Sequence, residues 1–342
     1  MVQKPVRIQD VAQAAGVSTA TVSRALSNPD ILSEATRKLV QDAIRQTGYR
    51  VNQAARNLRK QRAGAVLILV PNLSNPFFSQ ILAGITEGFA SSDYSVLIKD
   101  TAGMAGTDTG LTNYFLDSRV DGMISLDGGL TAHQLDSLQA NGVADKIVFA
   151  CEWVQDCPLP SVRSDNIKGA RLAIGHLHEL GHRRIAHVTG PRGNVLTTAR
   201  RQGMLAERDR LGLPARPEWI IRGDFSMQSG HDAAQKIIAM QHRPTAVFCA
   251  SDMVAFGLIA GLTEAGIRVP QDISVIGFDD IEMSQFYIPA LTTIRQNRRA
   301  LGLRSSQLLL DRLDGASPAA GGVVDLVDVS LIPRASTAPP PG

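Results

Sequence analysis

Two periodicities divide the chain. In its first fifty residues apolar positions recur at helical spacing, whereas from Ala65 onward short apolar runs alternate with amphipathic stretches. In IQDVAQAAG, Ile8, Val11, Ala12 and Ala15 share one helical face, and Gly16 ends the helix where a left-handed residue costs least. Ser18 is placed to cap a second helix by accepting from a free backbone amide. That helix, VSTATVSRAL, has Val17, Val22 and Leu26 on one narrow face. Its other positions, Thr19, Ala20, Thr21, Ser23 and Arg24, are small or polar where a merely solvated helix would carry Glu and Lys. A third helix is predicted from Ser33 to about Thr47, with Leu39, Val40, Ala43 and Ile44 inward and Gly48 as its stop. Helix, short glycine turn, helix is the spacing of a helix-turn-helix, whose second helix enters the major groove of DNA. Small groups let the backbone approach base edges, and Arg24 can contact guanine O6 and N7 in bidentate fashion. The DNA-facing candidates are therefore Ser18, Thr19, Ala20, Thr21, Ser23 and Arg24.

YRVNQAARNLRKQR follows. Asn52 can cap a short helix over about residues 52–60, in which Ala54, Ala55 and Leu58 lie near one face among Arg56, Arg59 and Lys60. Too little chain surrounds Leu58 to bury it. An apolar wedge inserted at a minor-groove base step, with cations on the flanking phosphates, accounts for both features. Asn52, Ala55, Leu58 and Lys60 join the DNA-facing set; the rival reading packs this helix on a dimer mate.

Beyond it the pattern is AVLILV, a helix from Phe77 to Ser92, SVLIK, GMISL, a helix from Thr131 to Asn141, and KIVFA. It restarts after Asp165 with a helix to Leu180, RIAHV, WII, TAVFCA and ISVIGF, each followed or preceded by helical stretches. Such alternation builds parallel sheets with covered faces, and two successive runs imply two lobes. Ligands in such sheets sit beyond the carboxyl ends of the strands. Asp100, Asp127, Glu152, Trp153, Arg200, Phe225, Asp252 and Asp279 all follow apolar runs or lie in those loops, and Phe77 and Phe78 open the first helix. For each, a helix cap or structural ion pair is the competing role.

Charge sharpens the division. Up to Arg62 there are eleven Lys and Arg against four Asp and Glu, a net +7, while the remainder carries 24 basic against 28 acidic residues, a net −4. A basic head on a mildly acidic body is the electrostatic footprint of nucleic-acid binding. Cys151, Cys157 and Cys249 match no zinc or redox spacing and read as packing residues of a protein in a reducing cytoplasm. No apolar stretch is long enough for a membrane span, and no cofactor motif of the phosphate-loop or dinucleotide type is present. HELGH, His178 to His182, matches the zinc-protease pattern in letters, but Gly181 falls where the helix should end, which puts His182 in a loop. No metal site is expected.

IQDVAQAAGVSTATVSRAL, TRKLVQDAIRQTGYRVN and AARNLR resemble the head of the lactose/galactose repressor family of bacterial transcription factors. The resemblance continues through VPNLSNPFFSQILAGI, SDNIKGA, LGHRRIAHVTGP, RPTAVFCASDMVAFG and RVPQDISVIGFDD, and is strongest to its cytidine- and purine-repressor branches. It implies a helix-turn-helix head with hinge helix (residues 1–62), a two-lobed body of periplasmic-binding-protein type (63–335) with crossovers near Ser164 and Gln296, and a disordered tail (336–342). It further implies a homodimer on a near-palindromic operator, controlled by a small effector, a nucleoside or sugar, held between the lobes. Family positions facing that cleft fall on Arg200, Phe225, Asp279, Phe77 and Phe78. Where the purine branch has an Arg and a Thr that help hold its base, this chain has Asn194 and Leu196, which argues against a purine. Arg7 stands where many members have a capping Thr. The rival class, an enzyme on the same scaffold, lacks any evident nucleophile-base-orienter set.

Overall fold

The computed structural model describes residues 6–50, 56–57, 61–103, 110–315 and 322–341. The chain divides into two compact units, Met1–Ala63 and Gly64–Gly342. The hinge candidates Asn52, Ala55, Leu58 and Lys60 lie outside the described residues.

In the head, α1 (Ile8–Ala15), α2 (Thr19–Ser27) and α3 (Glu34–Thr47) pack around Val11, Ala12, Val22, Val40 and Ala43. Gly16 ends α1 at φ +65°, the left-handed turn that sends the chain into α2. Arg7 provides no side-chain cap to α1. Asp10 compensates in part, its carboxylate accepting the Arg7 amide at 2.7 Å. One inward expectation is corrected: Leu39 is 55 % exposed. It sits about 100° around α3 from Val40, and a three-helix unit has no further layer to cover that side.

The body holds two six-stranded sheets among the described residues. Strands β1 (Ala65–Val70), β2 (Ser95–Asp100), β3 (Gly122–Ser125), β4 (Ile147–Ala150), β5 (Ser161–Ser164) and β11 (Val324–Val327) form the first, in the order β11-β5-β4-β3-β1-β2 and wholly parallel. The second has the order β12-β10-β9-β8-β6-β7, from β6 (Ile185–Val188), β7 (Ile220–Ile221), β8 (Ala246–Cys249), β9 (Ser274–Asp279), β10 (Thr292–Gln296) and β12 (Val329–Ile332). Only β12 runs antiparallel there. The central strands β1, β8 and β9 are buried at every position, as parallel strands covered on both faces must be.

The helices of the first lobe are α4 (Phe77–Phe89), α5 (Leu111–Leu116) and α6 (Ala132–Ala140); those of the second are α7 (Asn166–Glu179), α8 (Val195–Arg210), α9 (Met227–Ile238), α10 (Asp252–Glu264) and α11 (Met283–Phe286). After β10 the chain returns to the first lobe as α12 (Arg298–Leu313), which packs on α4. It crosses a third time between β11 and β12, at Asp328, a crossing that the strand pattern did not reveal.

The tail expectation is also corrected for the described residues 336–341. Ser336 is fully buried: its hydroxyl donates to the Val275 carbonyl and accepts the Thr292 amide at 2.8 Å. The Ala338 carbonyl accepts from His182 Nε2 at 2.8 Å. The tail satisfies backbone groups of β9 and β10, a tertiary role that a Pro- and Ala-rich composition does not disclose.

Candidate functional site

The head presents its site on α2. Ser18 caps the helix, its hydroxyl 3.1 Å from the Thr21 amide and 2.9 Å from the Thr21 hydroxyl. This occupies Ser18 and Thr21 in holding the helix start. Thr19, Ala20 and Arg24 are exposed and Ser23 is half-buried, so these four share the outward face that Val22 leaves on the other side. A helix with small residues at its N-terminal end and one long cationic fork a turn later is shaped to lie in a major groove.

In the body, the buried centre is Arg200, on α8, with 2 % of its surface exposed. Its Nε donates to Asn166 Oδ1 at 2.8 Å, Nη1 donates to the Ala250 carbonyl, and Nη1 lies 3.8 Å from Asp279 Oδ1. The guanidinium is stacked 3.9 Å from the Phe278 ring centre, with Phe225 at 5.9 Å. Asp279, at the end of β9, also accepts from Gln296 Nε2 at 2.7 Å. Arg200 Nη2 and Asp279 Oδ2 have no hydrogen bond among the described residues. Here stand a donor pair and an acceptor side by side between aromatic rings. Burial pushes the Asp279 carboxyl up to about 7, while Arg200 pulls it down. Phe225 is held at φ +70°, and its ring occupies the space where a Cβ on Gly190 would stand, 2.3 Å away. Only glycine at 190 admits this approach.

Two ties join the lobes beside that centre. Glu152, which follows β4, accepts from Asn194 Nδ2 at 2.9 Å and from the Gly128 amide at 3.1 Å. Burial raises the Glu152 carboxyl above its ordinary range, and the hydrogen bond from Asn194 opposes this. Asn194 meanwhile caps α8 through Oδ1, which accepts the amides of Leu196 and Thr197. Arg298 makes the second tie, Nη2 donating to the Asp280 carbonyl at 2.9 Å and Nη1 to the Phe77 carbonyl at 3.4 Å. The C-terminal ends of both sheets therefore face one another across a cleft, as strand-end placement predicts.

The cleft gathers Arg200, Phe225 and Asp279, with Phe77 reached through Arg298. Phe78 is buried edge-on to Phe77, ring centres 5.1 Å apart. Asp252 does not belong there. It is fully buried, and its carboxylate accepts from the Ile281 amide (2.9 Å), Ser284 Oγ (2.7 Å) and Thr293 Oγ1 (2.5 Å), tying α10 to β10 and the loop after β9. With its oxygens so occupied it is a structural hub. Asp100 likewise holds its own loop, accepting from the Leu73 and Ala102 amides at 3.0 and 2.7 Å. Asp127 accepts from the Thr101 hydroxyl and the Gly129 amide, one residue from the Glu152 contact. Trp153 is half-buried beneath the Arg163 guanidinium, 4.1 Å from the ring centre. Asn166, Gln296 and Arg298, which strand-end placement does not select, contact Arg200, Asp279 and the Asp280 carbonyl respectively. Their only signal in the sequence is their position at the two crossovers.

His182 is a post for the fold: Nδ1 lies 2.9 Å from Thr245 Oγ1 and Nε2 contacts Ser274 Oγ and the Ala338 carbonyl. His187, in β6, stacks 4.6 Å from Phe248 and is held neutral by burial, its pKa lowered to about 4.

A helix-turn-helix head on a two-lobed body with a polar, aromatic-lined cleft defines a ligand-responsive DNA-binding regulator. Comparison with known families agrees: residues 7–52 match the bacterial regulatory proteins of the lacI family, and residues 174–337 a periplasmic binding protein-like domain. The HTH-type transcriptional repressor CytR of Escherichia coli (strain K12) is 39 % identical over 330 residues, 96 % of each chain. The HTH-type transcriptional repressor PurR of Photobacterium profundum is 33 % identical over 307 residues, 90 % of this chain and 91 % of its own. Among solved structures, the Lac repressor dimer bound to operator and the anti-inducer ONPF superposes with a TM-score of 0.84 at 32 % identity, covering 98 % of this chain and all of the other. The chain belongs to the lacI family of bacterial regulatory proteins, and it is a transcriptional repressor with a DNA-binding head and an effector-binding body.

Proposed function

We propose that this repressor binds a near-palindromic operator as a homodimer in the cytoplasm, that a nucleoside or sugar held between the lobes sets its affinity, and that it catalyses no reaction. The observation that carries the effector site is the buried Arg200–Asp279 pair with Nη2 and Oδ2 unengaged between aromatic rings. A ligand offering both acceptors and donors matches it, and a flat ring would lie against Phe225. Leu196 is buried beside the Asn194 cap and supplies no hydrogen bond through its side chain, which disfavours a purine. Support for the homodimer comes from exposed apolar groups of the second lobe, Met227 at the start of α9, Met283 and Phe286 (72 % exposed) at the two ends of α11, and Ile288 (90 % exposed) just after it.

Thermal unfolding across a panel of nucleosides and sugars tests the effector reading, since a ligand at 100 times its Kd adds about 2.7 kcal/mol of stability. The Asp279 carboxyl gives a pH signature. Its folded value near 7 lies above the unfolded reference of 3.8, so the folded state keeps a proton that the unfolded chain has released. Stability from this group is full below about pH 4 and is lost as pH rises to about 7. A ligand that donates to ionised Asp279 is bound more tightly as pH rises through about 7, and Asp279→Asn removes that dependence. A Kd that is flat across this range in the wild type refutes the donor contact.

On the DNA side, Arg24→Ala is expected to cost about 1–3 kcal/mol of discrimination at one base pair per half-site, with nonspecific binding nearly intact. Gel-shift titrations on operator and random DNA check this. Equal losses on both would reassign Arg24 to a phosphate.

A further inference from the structure

A cavity of about 590 Å³ lies on the second lobe, between the outward face of α8 and the loop after β6. Arg192, Arg201 and Arg222 line it, with Thr189, Thr197 and Thr198. No Asp or Glu is among its lining residues. All three arginines are exposed, and none makes an ion pair among the described residues. Elsewhere in the lobe Arg171, Arg208, Arg210, Arg216 and Arg268 each hold a carboxylate within 3.4 Å, while Arg183, Arg184 and Arg243 hold none among the described residues.

Three guanidinium groups lining one cavity without a carboxylate give it a positive field that favours an anion. Guanidinium forks match the tetrahedral oxygens of phosphate through paired N–H donors. The cavity lies within the 300–1,000 Å³ typical of small-molecule sites, roughly the room for a sugar phosphate. The anion would be held by side chains, because Asn194 already takes the amides of Leu196 and Thr197 at the start of α8.

We propose that this cavity is a second ligand site of the repressor, distinct from the cleft, which takes a phosphate group carried by a small metabolite or present as the free ion. Its floor is α8, the helix that carries Arg200 on its buried side, so occupancy bears on the cleft from behind.

Calorimetric titration of the full-length protein at fixed ionic strength tests this with inorganic phosphate, ribose 5-phosphate and ribose. Saturable binding of the phosphate probes is expected, with Kd raised about tenfold or more in Arg201→Gln and in Arg222→Gln, as loss of one charge-assisted hydrogen bond requires. Arg171→Gln, which removes a cation already paired with Glu207, leaves Kd unchanged. Tighter binding of the ester than of inorganic phosphate assigns the site to a metabolite; equal binding assigns it to the ion. Ribose binding that survives both variants reports the cleft and keeps the two sites separate. Absence of phosphate binding, equal weakening in Arg171→Gln, or variants that lose only operator affinity would overturn the proposal, the last by placing these arginines on DNA.

Discussion

Arg200→Ala is expected to abolish the effector response and to lower the free energy of unfolding by about 3–5 kcal/mol, the range for breaking a buried ion pair by removing one partner. Both effects follow from one location. The side chain is 2 % exposed and donates to Asn166 and to the Ala250 carbonyl, so truncation leaves buried acceptors unsatisfied and opens a void against Phe278. Asp279, already pushed up by burial, then loses the cation that favours its ionised form and stays protonated over a wider pH range. The two roles separate in the double variant Arg200→Met, Asp279→Asn. Replacing the pair by neutral groups of similar volume restores part of the stability, measured by urea unfolding, without restoring ligand-dependent operator binding. A double variant that regained the effector response would show that the pair serves folding alone.

Asn194→Asp is expected to break the contact between the lobes while leaving α8 capped. An aspartate at 194 can still accept the amides of Leu196 and Thr197, because capping uses an oxygen that both residues possess. What it loses is the Nδ2 donor, which lies 2.9 Å from Glu152 Oε1. Two carboxylates at that separation cannot both ionise, so the already raised Glu152 carboxyl rises further or the lobes part. A hydrogen bond to a charged group contributes about 1.5–3 kcal/mol, and repulsion adds to its loss. The sign with pH is definite: the variant is closest to wild type in acid, where the pair shares a proton, and diverges as pH rises. Small-angle scattering and effector affinity at two pH values read this directly. Closed lobes and unchanged affinity at high pH would mean that the Glu152–Asn194 contact does not govern the cleft. Asn194→Ala, which loses cap and bridge together, should be less stable throughout, with a shallower pH dependence of the same sign, because Glu152 loses the hydrogen bond that favours its ionised form but faces no second carboxylate.

The cleft residues differ in how far the sequence disclosed them. Asp279 was legible because it ends an apolar run and strand ends in parallel sheets converge on one edge, whereas Arg200, which lies within α8, and Phe225 were set apart from other polar and aromatic positions by the family resemblance. The strand-end rule also selected Asp252 and Asp100, since a carboxylate that binds a ligand and one that caps its own loop look alike along the chain. Only the three donors gathered on Asp252 and the two amides on Asp100 separate the cases. Asn166 and Gln296 became visible only as partners, because what distinguishes them is who stands opposite.

The sequence by itself determined the division into a basic helical head and an alternating two-lobed body, the outward face of α2, and the strand-end location of the cleft. These rest on local periodicity, capping and charge, which act over a few residues and leave their mark there. Only the tertiary structure decided that Leu39 faces outward, that Ser336 and Ala338 are built into the second sheet, that the chain crosses between lobes a third time at Asp328, and that Arg192, Arg201 and Arg222 meet in one cavity. Each of these depends on groups brought together from distant parts of the chain or on whether another layer covers a surface, and neither is encoded in the spacing of nearby residues.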